Sequence, residues 1–301
     1  MARRRSRAGR VGCAAVATLA LLAAAVALVV LLLDRADQGT AAPARCVAEV
    51  DGTAWFFEPV QAENAALVSG IALQRGLPAR AVTIALATAL QESQLINIDH
   101  GDRDSIGLFQ QRPSQGWGTV EQIMDPVYST GAFYDGLVRV EGYEDMPITE
   151  AAQAVQRSAF PEAYAQHEGR ARAWASGLTG WSPAAITCSL HAPTAPGDVD
   201  ALTTRLARDL GELPVTAVDD MTVDVDVDAA ALGPETARMS WAVASWAVAV
   251  ADAEQVTSVA VADQVWHRDD GAWLAADERG TEPVPSGHVR ITLAGEKPIA
   301  L

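Results

Sequence analysis

A stretch of chain that is apolar on every side can only sit at the centre of a fold. From Pro78 onward, Val82, Ile84, Ala85, Leu86, Ala87, Ala89 and Leu90 cover nearly the whole circumference of a helix. A helix apolar all round is a buried one, so other elements must wrap it. This segment reaches Glu92 before fading near Leu95. Desolvating a carboxylate is costly and raises its pKa. A carboxyl held partly protonated near neutral pH can act as a general acid. A purely local role at the helix C-terminus is the weaker reading, because a negative charge there opposes the macrodipole.

Length and charge bound what surrounds that helix. At 301 residues, two domains are a better expectation than one. The formal charge of -16 is unevenly spread. Residues 1–45 carry seven Arg against two Asp, whereas residues 196–301 carry 7 basic and 19 acidic side chains. An acidic surface argues against nucleic acid as a partner, since phosphate binding needs basic surface.

At the N-terminus, Arg3, Arg4, Arg5, Arg7 and Arg10 form a basic tail over residues 1–10, followed by an uncharged run over 11–33. That run is long enough for one transmembrane helix, which takes about 20 residues. The arginines place the tail in the cytoplasm and the rest of the chain outside, attached to the cell membrane through this helix. A cleaved signal peptide is the rival, but its apolar region runs only about 7–15 residues. Cys46 and Cys188 then lie in an exported segment, where a disulfide between them is expected. Closing so long a loop would contribute about 4–5 kcal/mol in the chain-entropy model.

The remaining chain divides by pattern. Residues 34–45 read as a tether, 46–188 as a mainly α domain, 189–197 as a linker and 198–301 as a small α+β domain. Pro59, Pro78, Pro126 and Pro161 each open a helix, and Thr149 caps another. In the last part, residues 221–228 alternate Val with Asp as a half-buried strand does. Pro234 opens a helix, and strands follow over Val256–Val261, 264–268, Ala272–Ala275 and His288–Leu293. Asp224, Asp226, Asp228 and Glu235 have the spacing of a calcium loop, but Ala229 stands where the turn needs Gly, so a solvated strand face explains them better. The three Cys and scattered His show no zinc spacing, and no metal or cofactor is expected. Trp241, Trp246, Trp266 and Trp273 suit a core, and the acidic C-terminal part suits a module for a protein partner.

Gln91-Glu92-Ser93 and Ser105-Ile106-Gly107-Leu108-Phe109-Gln110 resemble the paired Glu-Ser and Ser-x-Gly-Leu-Met-Gln motifs of soluble lytic transglycosylases, in the lysozyme-like superfamily. Residues 104–118 look more closely like an actinobacterial branch reading Asp-Ser-x-Gly-Leu-Phe-Gln-Gln-Arg-Pro-Ser-x-Gly-Trp-Gly. The resemblance covers about residues 55–178. Phe109 stands where the pattern has Met, and Gln156-Arg157-Ser158 where it has Asn-Ala-Gly. The resemblance implies a lysozyme-like fold cleaving peptidoglycan glycan strands at the bond from N-acetylmuramic acid to N-acetylglucosamine, with Glu92 as acid and then base. Ser105, Gly107, Gln110, Gln111, Trp117 and Tyr164 are the expected substrate-binding residues, although Trp117 and Tyr164 equally suit a core. A hydrolytic lysozyme would need a second carboxylate, for which Asp99, Asp102 and Asp104 are candidates. A non-catalytic scaffold that binds glycan in a cell-envelope, secretion or conjugation complex is the other alternative.

Overall fold

The computed structural model describes residues 22, 25–29, 43–157, 161–217 and 224–295. Of a first unit, Met1–Pro43, it describes little beyond a few helical residues; the second unit is Ala44–Leu301.

That second unit opens on a hairpin of β1 (Arg45–Val50) and β2 (Thr53–Phe57). Asp51 and Gly52 turn it with φ of 52° and 70°, as a tight turn between right-twisted strands demands. β1 also pairs antiparallel with the much later β3 (Ile186–Ser189), in a register that sets Cys46 opposite Cys188. The two cysteines form a disulfide. Between these strands run α1 (Pro59–Gln74), α2 (Ala79–Ser93), α3 (Val120–Met124), α4 (Pro126–Leu137), α5 (Ile148–Gln156), a 3-10 turn over Pro161–His167, and α6 (Glu168–Leu178). Helix α2 is the central one, buried along most of its length and packed against α6. Trp174 on α6 stacks on Phe57 and donates to the Trp55 carbonyl at 3.0 Å, seating the small sheet on the helices.

The chain continues through α7 (Val199–Leu210), β4 (Val215–Ala217), β5 (Asp224–Asp228), α8 (Thr236–Ala249), β6 (Val256–Val261), β7 (Gln264–His267), β8 (Ala272–Ala275) and β9 (His288–Leu293). Its six strands form one antiparallel sheet in the order β4-β5-β9-β6-β7-β8. Helix α8, buried from Ala242 to Ala249, contacts β6 and β9 on one side and α1 and α6 on the other. Trp266 and Trp273 donate to Thr187 Oγ1 and the Ile186 carbonyl at 3.0 and 2.8 Å, so the large sheet covers the strand that carries Cys188. Helices α1 and α7 cross so closely that a Cβ on Gly70 would lie 2.2 Å from the Asp209 carbonyl oxygen. Only glycine fits that crossing.

This architecture corrects the expected fold class. A mainly α lysozyme-like domain after a transmembrane helix, followed by a small α+β domain, is not what the chain builds. Strands from both ends of the supposed helical domain make an antiparallel sheet, and the later six-stranded sheet shares a core with the helices through α8. The periodicity hid this because β1 and β3 are short and their partners are about 140 residues apart. Among the described residues, no helix is long and apolar enough to cross a membrane. Most of the expected span at 11–33 lies outside the described residues.

Candidate active site

Glu92 occupies the last turn of α2, where the helix reverses through two successive left-handed residues, Gln94 and Leu95, with φ of 56° and 60°. Such backbone costs free energy in non-glycine residues and persists only where the surroundings enforce it. Here α1 enforces it: Gln61 Nε2 donates to the Gln94 carbonyl at 2.8 Å and Asn64 Nδ2 to the Leu95 carbonyl at 2.9 Å. The Leu95 side chain is fully buried and anchors the reversal. Ser93 Oγ donates to the Leu108 carbonyl at 2.7 Å, tying the helix end to the loop that carries the second motif.

That loop is built on Gly107. Its φ is 79°, its N–H donates to the Ile98 carbonyl at 2.7 Å, and a Cβ there would lie 2.8 Å from the Ile123 carbonyl oxygen. A bridge between Ile106 and Gln111 closes the turn. Gln111 is buried, and its amide donates to the Ser129 carbonyl at 3.0 Å. Gln110 has a φ of 48° and spends its amide on the His100 and Gly107 carbonyls. Ser105 is buried as well. These three side chains shape the loop rather than line an open surface.

Glu92 itself is half-buried. Tyr164, fully buried on the 3-10 turn, donates its hydroxyl to Glu92 Oε1 at 2.7 Å. Gln156, the last residue of α5, hydrogen-bonds the same carboxylate and also donates to the Phe109 carbonyl at 2.6 Å. Burial holds the Glu92 carboxyl above its usual range, and the bonds from Tyr164 and Gln156 only partly offset it. Both partners are neutral, so the carboxyl keeps a proton more readily than an exposed glutamate would.

Gln156 also lines a groove of about 770 Å³, together with Trp117, Tyr128, Arg139 and Arg157. Trp117 is half-buried there, its carbonyl accepting from Tyr128 Oη at 3.2 Å. The expected residues thus separate into three groups. Glu92 and Tyr164 meet directly, Trp117 lines the adjoining groove, and Ser105, Gly107, Gln110 and Gln111 build the loop. Gln156 is the Glu92 partner that was not among the expected binding residues; its signal was position alone, where the resembling pattern has Asn-Ala-Gly.

The three acidic alternatives are engaged elsewhere. Asp104 Oδ1 accepts from Arg112 Nε at 2.7 Å and Oδ2 from the Ser114 N–H at 2.9 Å. The Ser114 and Arg112 contacts hold its carboxyl far below the usual range. Asp99 is exposed and pairs with His100 at 3.0 Å, and Asp102 is exposed beside Arg103. The site is a buried carboxyl with two neutral donors beside a polar groove, an arrangement suited to giving up and recovering one proton. Among the described residues, no cluster of His, Cys, Asp and Glu could hold a metal ion. Compared with known proteins, the chain matches no family model and no curated sequence.

Proposed function

We propose that the protein cleaves the β-1,4 bond between N-acetylmuramic acid and N-acetylglucosamine in peptidoglycan, with Glu92 as the sole acid and base. The observation that carries this reading is the Glu92 environment: a half-buried carboxyl with a raised pKa, held by the Tyr164 hydroxyl and the Gln156 amide. The Glu92-Ser93 and Ser105-to-Gln110 motifs that resemble lytic transglycosylases support the same chemistry. The disulfide supports an oxidising, extracytoplasmic setting, where such a polymer is found.

Glu92 would first give its proton to the glycosidic oxygen, the bond from C1 to that oxygen breaking as an oxocarbenium-like centre forms at C1. The carboxylate left behind would then take the proton of the C6 hydroxyl on the same sugar while that oxygen bonds to C1. The product is a 1,6-anhydro sugar, no water is consumed, and Glu92 ends protonated as it began. Asp104 is held by Arg112 and Ser114, and Asp99 and Asp102 are exposed to solvent, which favours this route over a hydrolytic one needing a second carboxylate. Mass spectrometry of digested peptidoglycan tests it. Anhydro ends are expected; reducing ends would mean a hydrolase, and sedimentation with the wall without released fragments would mean a binding scaffold.

A further inference from the structure

The outer face of the six-stranded sheet carries an arginine, Arg290, that forms no ion pair among the described residues. Along β9, Val289, Ile291 and Leu293 are buried, so the strand's alternation puts Arg290 and Thr292 on the opposite face. The register sets Asp226 of β5 opposite Arg290, but that carboxylate bonds His288 Nδ1 at 2.6 Å. Among the described residues no carboxylate pairs with Arg290, and its Nε is buried without a hydrogen-bond partner. Arg80 and Arg205 also have a buried Nε without a hydrogen bond, yet their terminal nitrogens reach Glu168 in one case and Glu63 and Glu254 in the other. In a chain with 38 acidic and 22 basic side chains, a partly buried unpaired guanidinium is not for want of acids. Desolvating a charge without a counter-charge is costly unless a ligand supplies one.

Arg290 lines a pocket of about 440 Å³ whose other polar groups include Thr257, Ser258, Thr281 and Thr292. Thr257 gives its hydroxyl proton to the Thr292 carbonyl at 3.2 Å, which leaves the Ser258, Thr281 and Thr292 hydroxyls able to donate to an anion as well as accept. Ser258 and Thr292 are register partners on β6 and β9, which puts them side by side. Asp269 is the acid on the wall; it interacts with its neighbour Arg268, while burial lowers the His267 pKa and keeps that imidazole neutral near pH 7. Arg268 is not available to a ligand: it binds Asp252 at 2.8 Å and the carbonyls of His191, Ala251 and Val256. The pocket therefore offers one unspent guanidinium, several hydroxyls and a small apolar patch from Pro193 and Ala260.

We propose that this pocket binds the free α-carboxylate of a short peptide with small side chains. A guanidinium fork matches the two oxygens of a carboxylate, hydroxyls can complete their hydrogen bonds, and the apolar patch has room for methyl-sized groups. The site stands apart from Glu92 and does not depend on the cleavage reading. Such peptide ends can come from wall stem peptides, which carry D-residues, or from protein C-termini.

The test is calorimetric titration of the full chain with acetyl-D-alanyl-D-alanine, its C-terminal amide, and the L,L form of each. One of the two acids is expected to bind, with its amide at least about tenfold weaker. The stereoisomer that binds identifies the source. Arg290→Gln is expected to lose binding by a similar factor without lowering Tm. Ser258→Ala provides a second variant that weakens binding less, should Arg290→Gln fold poorly. The proposal is overturned if no acid binds at millimolar concentration, if acid and amide bind alike, or if inorganic phosphate binds more tightly than either peptide. Because heat of binding is read rather than cleavage, a failure of the Glu92 chemistry leaves the result interpretable.

Discussion

Glu63 on α1 and Glu92 on α2 are both carboxylates that burial pushes upward, yet the protein answers the two burials differently. Glu63 meets Arg205 at 2.9 Å, in a junction where Arg205 also binds Glu254 at 2.8 Å and lies 3.7 Å from the fully buried Asp209. Trp246 adds a hydrogen bond to Asp209 at 2.9 Å. That junction joins α1, α7 and the residues just after α8, and Arg205 there offsets part of the cost of burying Glu63. Glu92 meets a phenol and an amide, which can bond either protonation state but supply no positive charge. The first arrangement fixes a charge in place; the second leaves a proton free to leave. On the proposed reading, the difference separates a structural acid from a chemical one at nearly equal burial.

Substitutions can break that comparison in turn. Arg205→Ala should have the largest effect, since it strands Glu63 and Glu254 together, although Asp209 keeps Arg208 at 2.7 Å. Losing one partner of a buried ion pair costs about 3–5 kcal/mol. Chemical denaturation at pH 7 would read this loss; a change below about 1 kcal/mol would mean that the junction is not the brace it looks like. Tyr164→Phe removes a buried hydrogen bond worth about 1 kcal/mol. Because that bond lowers the Glu92 pKa, its loss should move the basic limb of the cleavage profile to higher pH. An unmoved limb would detach Tyr164 from the acid.

Glu92→Gln should act on stability in the opposite direction from Arg205→Ala. The folded protein holds the Glu92 proton more tightly than the unfolded chain, whose carboxyl titrates near 4.5. Stability therefore falls as pH rises from that value through the raised folded pKa, and the full penalty is present above it. Glu92→Gln should melt higher than the unmodified protein at pH 7, with the difference vanishing below about pH 4. A lower Tm at pH 7 would show that the carboxylate is stabilised, not strained. The smallest effect is expected from Asp104→Asn, which should leave cleavage close to the unmodified rate. A collapse of activity would make Asp104 a second catalytic carboxylate.

Local signals carried much of this fold. Pro59 and the Asp125-Pro126 pair mark helix starts where α1 and α4 begin, and Asp125 caps α4 through the Val127 N–H. Strands β6, β8 and β9 fall on the residues where strands separated by turn residues were expected. The 3-10 turn before α6 was read as helix, because Pro161 marks the start of either form equally well. The small sheet escapes the pattern although Asp51-Gly52 is a strong hairpin signal, because its strands lie almost wholly inside residues 46–188, expected as a mainly α domain. At the site, Glu92 was legible because a charge interrupts an apolar helix. The roles of Gln111 and Ser105 were not, since buried amides and hydroxyls look like sugar ligands until their backbone partners are known. Gln156 reaches Glu92 across more than sixty residues of chain, which no local pattern records.

In the proposed reaction a single carboxyl at Glu92 both donates and recovers the proton. Its most direct test is mass spectrometry of peptidoglycan digested in parallel by the unmodified protein and by Glu92→Gln. 1,6-Anhydro muropeptides are expected from the first, and a loss of about 100-fold or more from the second with its fold intact. Equal release of fragments by the two proteins would contradict it.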